Sequence, residues 1–322
     1  MKKYNYIFGV VASRRLGLSL GIDLVPKKYC SLDCVYCEAG ATTNLSLERR
    51  PFVMADAVIA ELKDAFSDPT LKFDYITFSG AGEPTLNSEI GKIIRFIKDN
   101  YPDYKLCLLT NALGFGDKKL LEEIKDIDLC IPSLDASNAV EFEKINRPCA
   151  EIKFEEFITN LINYTQNATC RIILELFIVP KINDSQESIF RFAEIIQQMK
   201  VEKVQLNSLD RPGTCDWVVP SSKDNTMRFI DVLEKIVPVE AVGPFKYKSV
   251  TLCNSIEMSS LQQSIINLIR RRPATLNDLT LATGCDSKIV CNALQELLQA
   301  GIINSERRER GEFFSANVKV EK

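Results

Sequence analysis

Cys30-Ser-Leu-Asp-Cys34-Val-Tyr-Cys37 is the stretch on which the reading of this chain turns. Thiolates are soft ligands suited to iron–sulfur clusters, and cysteine is the usual ligand of a four-iron cluster. Three cysteines in one short loop leave one iron of a cubane without a protein ligand, a position where a small molecule can coordinate. Spacings of three and two residues suit a loop wrapped around a cluster, with Asp33 inside the turn. The competing readings are structural thiols, a disulfide pair, or half of a zinc site. Zinc normally takes four ligands from Cys and His. The chain has no histidine and no second Cys-x-x-Cys, so the spacing favours the cluster.

With Tyr36 as the aromatic before the third cysteine, Cys-x3-Cys-x2-Cys resembles the signature of the radical S-adenosylmethionine (radical SAM) superfamily. The flanking runs, Ser13-Arg-Arg-Leu-Gly-Leu-Ser-Leu-Gly-Ile-Asp23 and Cys37-Glu-Ala-Gly40, resemble the branch related to wyosine-type tRNA base synthesis. The resemblance implies a [4Fe–4S] cluster on Cys30, Cys34 and Cys37 and SAM bound at the free iron. It further implies reductive cleavage of SAM to methionine and a 5′-deoxyadenosyl radical that abstracts hydrogen from a substrate. The cofactor carries the hard chemistry and the protein orients it. An electron donor of the flavodoxin or ferredoxin type is implied as well.

At 322 residues the chain is long enough for one large domain and a small one. Apolar content is ordinary, and no apolar run approaches the roughly 20 residues that span a bilayer. The start, Met1-Lys-Lys-Tyr-Asn-Tyr-Ile-Phe, lacks the apolar core of a signal peptide. Eleven cysteines without an export signal point to a reducing cytoplasm. A net charge of −3 is not that of a globally basic nucleic-acid binder. Without histidine, proton transfer falls to carboxylates, Lys, Tyr, Cys or water.

Short apolar runs alternate with amphipathic stretches. Strands are expected at residues 18–25, 74–79, 105–110, 129–134, 171–179 and 204–208, the last closing the series. Helices are expected at 55–65, 90–100, 117–124, 154–164 and 188–198. A βαβ rhythm gives a parallel sheet with helices outside. About six units fit before residue 240, fewer than the eight of a closed barrel. Periodicity alone leaves an open doubly wound sheet and a partial barrel equally available; the resemblance implies the partial (β/α)6 barrel, over residues 1–250. In either fold the chemistry gathers at the C-terminal ends of the strands.

Those ends carry further signals. Gly80-Ala-Gly-Glu-Pro-Thr-Leu86 follows a strand, with glycines that permit close backbone approach and Glu83 at the tip. Gly80, Gly82, Glu83 and Pro84 resemble the superfamily's glycine-rich motif for the amino group of SAM, with Ala81 in place of the usual first glycine. Asn111 ends the next strand. Ser133 and Asp135 lie on one side of an extended segment, suited to ribose hydroxyls or to capping helices. The segment containing Val179 and Asn183 is similar to the strand that lies against adenine in glycyl-radical activating enzymes. Tyr36 joins these as a cofactor-binding candidate. Arg14, Arg15, Arg147, Asn207 and Arg211 are candidates for the substrate, since guanidinium groups suit carboxylate and phosphate; the competing role is a salt-bridged rim. Cys107 and Cys130 read as small buried hydrophobes, and Cys285 and Cys291 as structural. Cys149, Cys170, Cys215 and Cys253 lack ligand-like spacing. No cysteine precedes Cys30, a departure from the wyosine-forming pattern.

Residues 255–322 change pattern. Helices at 260–270, 275–283 and 287–299 lead into a hairpin around a charged turn, the winged-helix order. From Met258 onward there are nine Lys/Arg against seven Asp/Glu. The third helix offers only Lys288 as a cation, so groove binding is weakly supported, while Arg270 to Arg272 and the hairpin arginines suit phosphates. The expectation is a radical SAM enzyme modifying a macromolecule, tRNA first. The alternatives are the same chemistry on a peptide, protein or small molecule docked by the tail, and an iron–sulfur redox sensor that binds DNA. No membrane partner is expected.

Overall fold

The computed structural model describes residues 4–13, 16–242, 258–308 and 311–316. Arg14 and Arg15 lie outside the described residues, as does Cys253.

Strands β1 (Ile7–Ser13) and β2 (Gly17–Ile22) form an antiparallel hairpin. β2 runs into the cysteine loop, where the two-residue strands β3 (Tyr29–Cys30) and β4 (Asn44–Leu45) pair in parallel. Helix α1 (Ala55–Phe66), β5 (Tyr75–Phe78), α2 (Ile90–Asn100), β6 (Leu106–Thr110), α3 (Lys118–Glu123) and β7 (Leu129–Pro132) follow. Then come α4 (Ala139–Ile145), α5 (Phe154–Asn167), β8 (Arg171–Phe177), α6 (Gln186–Ile196), β9 (Lys203–Asn207), α7 (Lys223–Leu233) and β10 (Val239–Val242). The sheet order is β1-β2-β5-β6-β7-β8-β9-β10. From β2 onward every neighbour is parallel. Its two edges, β1 and β10, do not pair, so the sheet is open, with helices on its outer face.

Alternation along the strands sorts the side chains. In β8, Ile172, Leu174 and Leu176 join the large core with the helices, where Ile94, Phe192 and Phe229 are fully buried. Ile173 faces the other way and packs with Leu16, Cys107, Leu129 and Ile131 in a small plug at the N-terminal ends of the strands. Cys107 and Cys130 are therefore buried apolar side chains, as expected.

Three elements depart from the sequence reading. β1 precedes the expected first strand; it is an edge strand whose residues are mostly half-buried, so no strong alternation marks it. α4 spans about two turns and is set by its Asn138 cap, whose side chain accepts from Glu141 N, rather than by periodicity. The series does not close at residue 208, because α7 adds β10 in parallel beside β9. Val-Glu-Ala-Val is short and half-buried at the far edge, which hides it from pattern reading.

After residue 257, α8 (Met258–Ile269), β11 (Ala274–Thr275), α9 (Leu276–Thr283), α10 (Ser287–Gln299), β12 (Ile303–Arg308) and β13 (Gly311–Ala316) form three helices against a three-stranded sheet ordered β11-β13-β12. Thr275 caps α9 in a capping box with Asp278, and Gly284 ends it at φ 66°. This unit has its own core, into which Val11 of β1 packs. Ion pairs join it to the larger part: Arg211 to Asp278 at 3.3 Å, Arg271 to Asp23 at 3.6 Å, and Arg308 to Asp216 at 3.7 Å. No helix among the described residues is long and apolar enough to cross a membrane.

Ile94 is fully buried between α2 and the sheet. Ile94→Ala is expected to lower stability by about 2–5 kcal/mol, seen as a lower denaturant midpoint at unchanged slope.

Candidate active site

The cysteine loop is held in shape by its own polar groups. Cys37 N donates to Cys34 O at 3.1 Å and Gly40 N to Cys37 O at 3.0 Å, two successive turns. Thr42 closes the loop, donating from N to Asp33 Oδ1 and from Oγ1 to Leu32 O, both at 2.7 Å. The end of α4 straps it from outside: Val35 N donates to Ile145 O and Asp33 N to Asn146 O, both at 2.9 Å.

Cys30, Cys34 and Cys37 are half-buried and form no disulfide. Each sulfur faces one nitrogen donor. Lys28 Nζ lies 3.3 Å from Cys37 Sγ, Asn111 Nδ2 3.6 Å from Cys30 Sγ, and Asn146 Nδ2 3.4 Å from Cys34 Sγ. Donors aimed at all three sulfurs suit thiolates, and with three soft ligands on one loop the residues fit an iron–sulfur cluster. Without a metal, burial, aided by the Glu83 carboxylate, pushes Cys30 up to about 12. Burial and Asp135 hold Cys34 far above the ordinary thiol range. A bound cation reverses that preference, because a coordinating thiol is deprotonated outright.

The glycine turn lies against this loop. A Cβ on Gly80, whose φ is 141°, would fall 2.2 Å from the Asp23 carboxylate, and one on Gly82 2.2 Å from Tyr29 O. Both positions need glycine for close packing. Glu83 is 4% exposed and turned inward. Its Oε1 accepts from Thr85 N at 3.1 Å, Thr85 Oγ1 at 2.6 Å and Thr110 Oγ1 at 2.7 Å, and its Oε2 from Asn111 N at 2.8 Å. Burial pushes its pKa up against those four bonds. Glu83 thus fastens the turn, which Pro84 opens, to the end of β6, and its carboxylate is not presented at the strand tip. Asn111 also reaches Ser31 Oγ at 2.9 Å, so its side chain serves the cysteine loop.

One cavity opens inside the curled sheet at the C-terminal ends of the strands. Tyr36, Cys37, Gly80, Ser133 and Asn207 line it together. Tyr36 stacks on Phe177 at a centroid distance of 3.9 Å, giving it an aromatic wall. Other expected residues stand behind the wall. Asp135, 3% exposed, accepts from the Tyr36 hydroxyl, from Asn146 Nδ2 at 3.0 Å and from Phe177 N at 2.9 Å. Asn183 is fully buried and brackets the same segment, donating from Nδ2 to Asp135 O and Phe177 O at 2.8 Å each. Val179 is fully buried in a cluster with Val35 and Ile145. These three support the cavity rather than face it: three donors saturate the carboxylate, and Val179 and Asn183 have no exposed surface.

The arginines divide likewise. Arg147 donates to Asp33 O at 2.8 Å and Cys215 Sγ at 3.3 Å, on the outer side of the cysteine loop. Arg211, 5% exposed, joins Glu38 at 3.1 Å to Asp278 at 3.3 Å. Burial alone would lower its pKa, but the surrounding carboxylates outweigh it and hold the charge. Neither arginine faces the cavity.

Sequence reasoning missed Ser19, Thr77, Glu175 and Phe177, which line the cavity; Arg271 and Arg272, read from the sequence only as phosphate contacts of the tail, reach it from beyond α8. Ser19 and Thr77 share a hydroxyl hydrogen bond of 2.6 Å, and Glu175 Oε1 accepts from Asn207 Nδ2 at 2.8 Å. A signal existed: Glu175 interrupts Arg-Ile-Ile-Leu-Glu-Leu-Phe, and a carboxylate inside an otherwise apolar strand marks a polar inner face.

A sequence model of the radical SAM superfamily matches residues 24–193. A protein named GTPase Obg from Brachyspira hyodysenteriae is 31% identical over 304 residues, 94% of this chain but 44% of that protein. This chain carries no Gly-x4-Gly-Lys-Ser/Thr phosphate loop. The UPF0026 protein MJ1312 of Methanocaldococcus jannaschii is 28% identical over 267 residues, 82% of this chain and 83% of that protein. A probable dual-specificity RNA methyltransferase RlmN from Acholeplasma laidlawii is 23% identical over 209 residues, covering 62% of this chain and 59% of that one. Among solved structures, a radical SAM methyltransferase from Sphaerobacter thermophilus shares the fold, with a TM-score of 0.54 at 18% identity over 69% of this chain and 65% of that one.

Asp135→Ala removes the shared acceptor of the Tyr36 hydroxyl, Asn146 Nδ2 and Phe177 N and releases Tyr36. It is expected to cost about 3 kcal/mol or more in chemical denaturation. In the metal-free protein, alkylation of Cys34 followed by mass spectrometry should run faster than in the parent.

Proposed function

The chain belongs to the radical SAM superfamily, and we propose that this enzyme acts on RNA, with transfer RNA as the favoured substrate. The observation that carries the reading is the cysteine loop, with a nitrogen donor on each sulfur, set at the rim of one cavity. When bound on Cys30, Cys34 and Cys37, a [4Fe–4S] cluster with SAM supplies reductive cleavage of the sulfonium and a radical that abstracts hydrogen from the substrate.

The protein's own residues hold and orient. Lys28, Asn111 and Asn146 donate to the thiolates and so tune them. Gly80, Gly82, Glu83 and Pro84 shape the turn for the amino group of SAM, its backbone making the contact while the Glu83 side chain fixes the turn. Ser133 suits a ribose hydroxyl and the Tyr36–Phe177 pair an adenine face. Asp135, Val179 and Asn183 keep that wall in place. Asn207, with Glu175, faces the substrate; with no histidine in the chain, the carboxylate of Glu175 is the group fit to hold or accept a proton there.

RNA is supported by the resemblance of the cysteine-loop flanks to wyosine-type enzymes and by the RNA methyltransferase among the relatives. The element order after residue 257 is that of a winged helix, and we assign residues 1–250 and 255–322 to a partial barrel and a winged-helix domain. The reading places the enzyme in the cytoplasm with a flavodoxin- or ferredoxin-type reductant.

Anaerobic reconstitution with iron, sulfide, dithionite and SAM should release 5′-deoxyadenosine, measured by chromatography, and alanine at any of the three cysteines should abolish it. Absence of release from protein with an intact cluster would sink the enzyme reading. Mass spectrometry of tRNA from cells with and without the protein should reveal one modified nucleoside lost; unchanged tRNA removes it as the substrate.

A further inference from the structure

The active-site cavity is not made by the sheet alone. Leu268, Arg271 and Arg272, at and beyond the end of α8, line it together with Tyr36, Cys37 and Glu175. The part of the chain that follows residue 257 therefore forms one wall of the cavity. Arg211, nearly buried, also fastens it, gripping Glu38 and Asp278 at 3.1 and 3.3 Å.

Arg271 and Arg272 are held differently. The guanidinium of Arg271 lies 4.1 Å over the Phe8 ring, and Phe8 in turn covers Gly21, where a Cβ would strike the ring at 2.1 Å. One terminal nitrogen donates to Asn267 O at 3.0 Å, closing the end of α8. The carboxylate beside it, Asp23, stands off at 3.6 Å, and Glu38 stands 4.0 Å from Arg272. Charge-assisted hydrogen bonds run at about 2.7–2.9 Å, so Asp23 orients the Arg271 guanidinium without a close bond to it, and Arg271 Nε is buried without a hydrogen-bond partner. Burial pushes Arg271 down and Asp23 up, both toward the neutral form. An anion at the cavity roof would give the buried Arg271 Nε the acceptor it lacks. Below it, Glu175 and Asn207 offer acceptor and donor groups to a polar ring.

We propose that Arg271 and Arg272 form a phosphate-binding roof over the active-site cavity, where they hold a backbone phosphate next to the nucleotide presented to Glu175 and Asn207. This rests on the RNA reading above. It makes residues 258–316 part of the active site, and the paired donors of arginine are what the phosphate requires.

The test is calorimetric titration of the full chain with inorganic pyrophosphate and, separately, with a ribotrinucleotide, against potassium chloride at matched ionic strength. Arg271→Ala and Arg272→Ala should each weaken both ligands by about tenfold or more. Arg272→Lys, which keeps the charge but loses the fork, should fall between. Arg191→Ala, a distant surface change, should bind as the parent does. Thermal melts identify any variant that fails to fold, and the half-exposed Arg272→Lys then carries the comparison. Parent-like binding by the Arg271 and Arg272 variants, or an equal loss in Arg191→Ala, overturns the proposal. Loss of pyrophosphate alone, with the trinucleotide unaffected, overturns the assignment to an RNA phosphate. Unchanged cellular tRNA beside Arg272-dependent binding of both ligands would remove tRNA as the substrate and keep the phosphate site.

Discussion

The buried carboxylate of Asp135 is the constraint on which the site depends. It gathers donors from three elements: the Tyr36 hydroxyl from the cysteine loop, the Asn146 amide from beyond α4, and Phe177 N from the end of β8. Asn146 passes the constraint on, since the same amide nitrogen lies 3.4 Å from Cys34 Sγ. On the opposite side of the loop Glu83 plays the matching part, and its Asn111 neighbour reaches Cys30 Sγ. Two saturated carboxylates thus flank three thiols. Burial, with Glu83 acting on Cys30 and Asp135 on Cys34, pushes these thiols up, and a cationic occupant would offset the charge of both carboxylates.

The lack of histidine explains the character of the cavity. A pocket that cannot use imidazole must orient its ligands with hydroxyls, amides and carboxylates. The lumen holds such a set: the Ser19–Thr77 pair, Ser133, and Glu175 braced by Asn207. Below them an apolar plug of Leu16, Cys107, Leu129, Ile131 and Ile173 fills the N-terminal end of the strands. A site at the opposite end follows from the topology, since the cysteine loop after β2, the glycine turn after β5 and the segments after β6, β7 and β8 all leave the parallel strands at their C-terminal ends.

What was legible in the sequence was whatever a local pattern encodes. The cysteine spacing located the loop, and apolar runs bounded by turns located β5 to β9. The glycines at 80 and 82 were read as positions where the backbone approaches a ligand, and in the fold both pack closely against Asp23 and Tyr29. The direction in which polar side chains point was not legible. Asp135, Glu83 and Arg211 read as ligands because polar residues at strand tips often are, yet each satisfies its neighbours in the fold. Burial with a full set of partners is a tertiary property that no spacing records. Glu175 is the reverse case: it was passed over as part of a core strand, although one carboxylate among Ile, Leu and Phe needs a polar inner face to be tolerated. Arg271 and Arg272 could be placed in the cavity only once the chain after residue 257 had been docked on β1.

That docking changes what the tail is for. A module tethered only by a linker would recruit a substrate and leave recognition to the barrel. Here Glu38, the residue after the third cysteine, contacts Arg211, which is bound in turn to Asp278 of α9, and Arg272 comes within 4.0 Å of the same carboxylate. Arg271 faces Asp23, which packs against Gly80 and accepts from Ala81 N at 3.3 Å. The module therefore reaches Glu38, just after the cysteine signature, on one side and Asp23, which packs against the glycine turn, on the other. Displacing the tail would disturb ion pairs that border both the cysteine loop and the glycine turn.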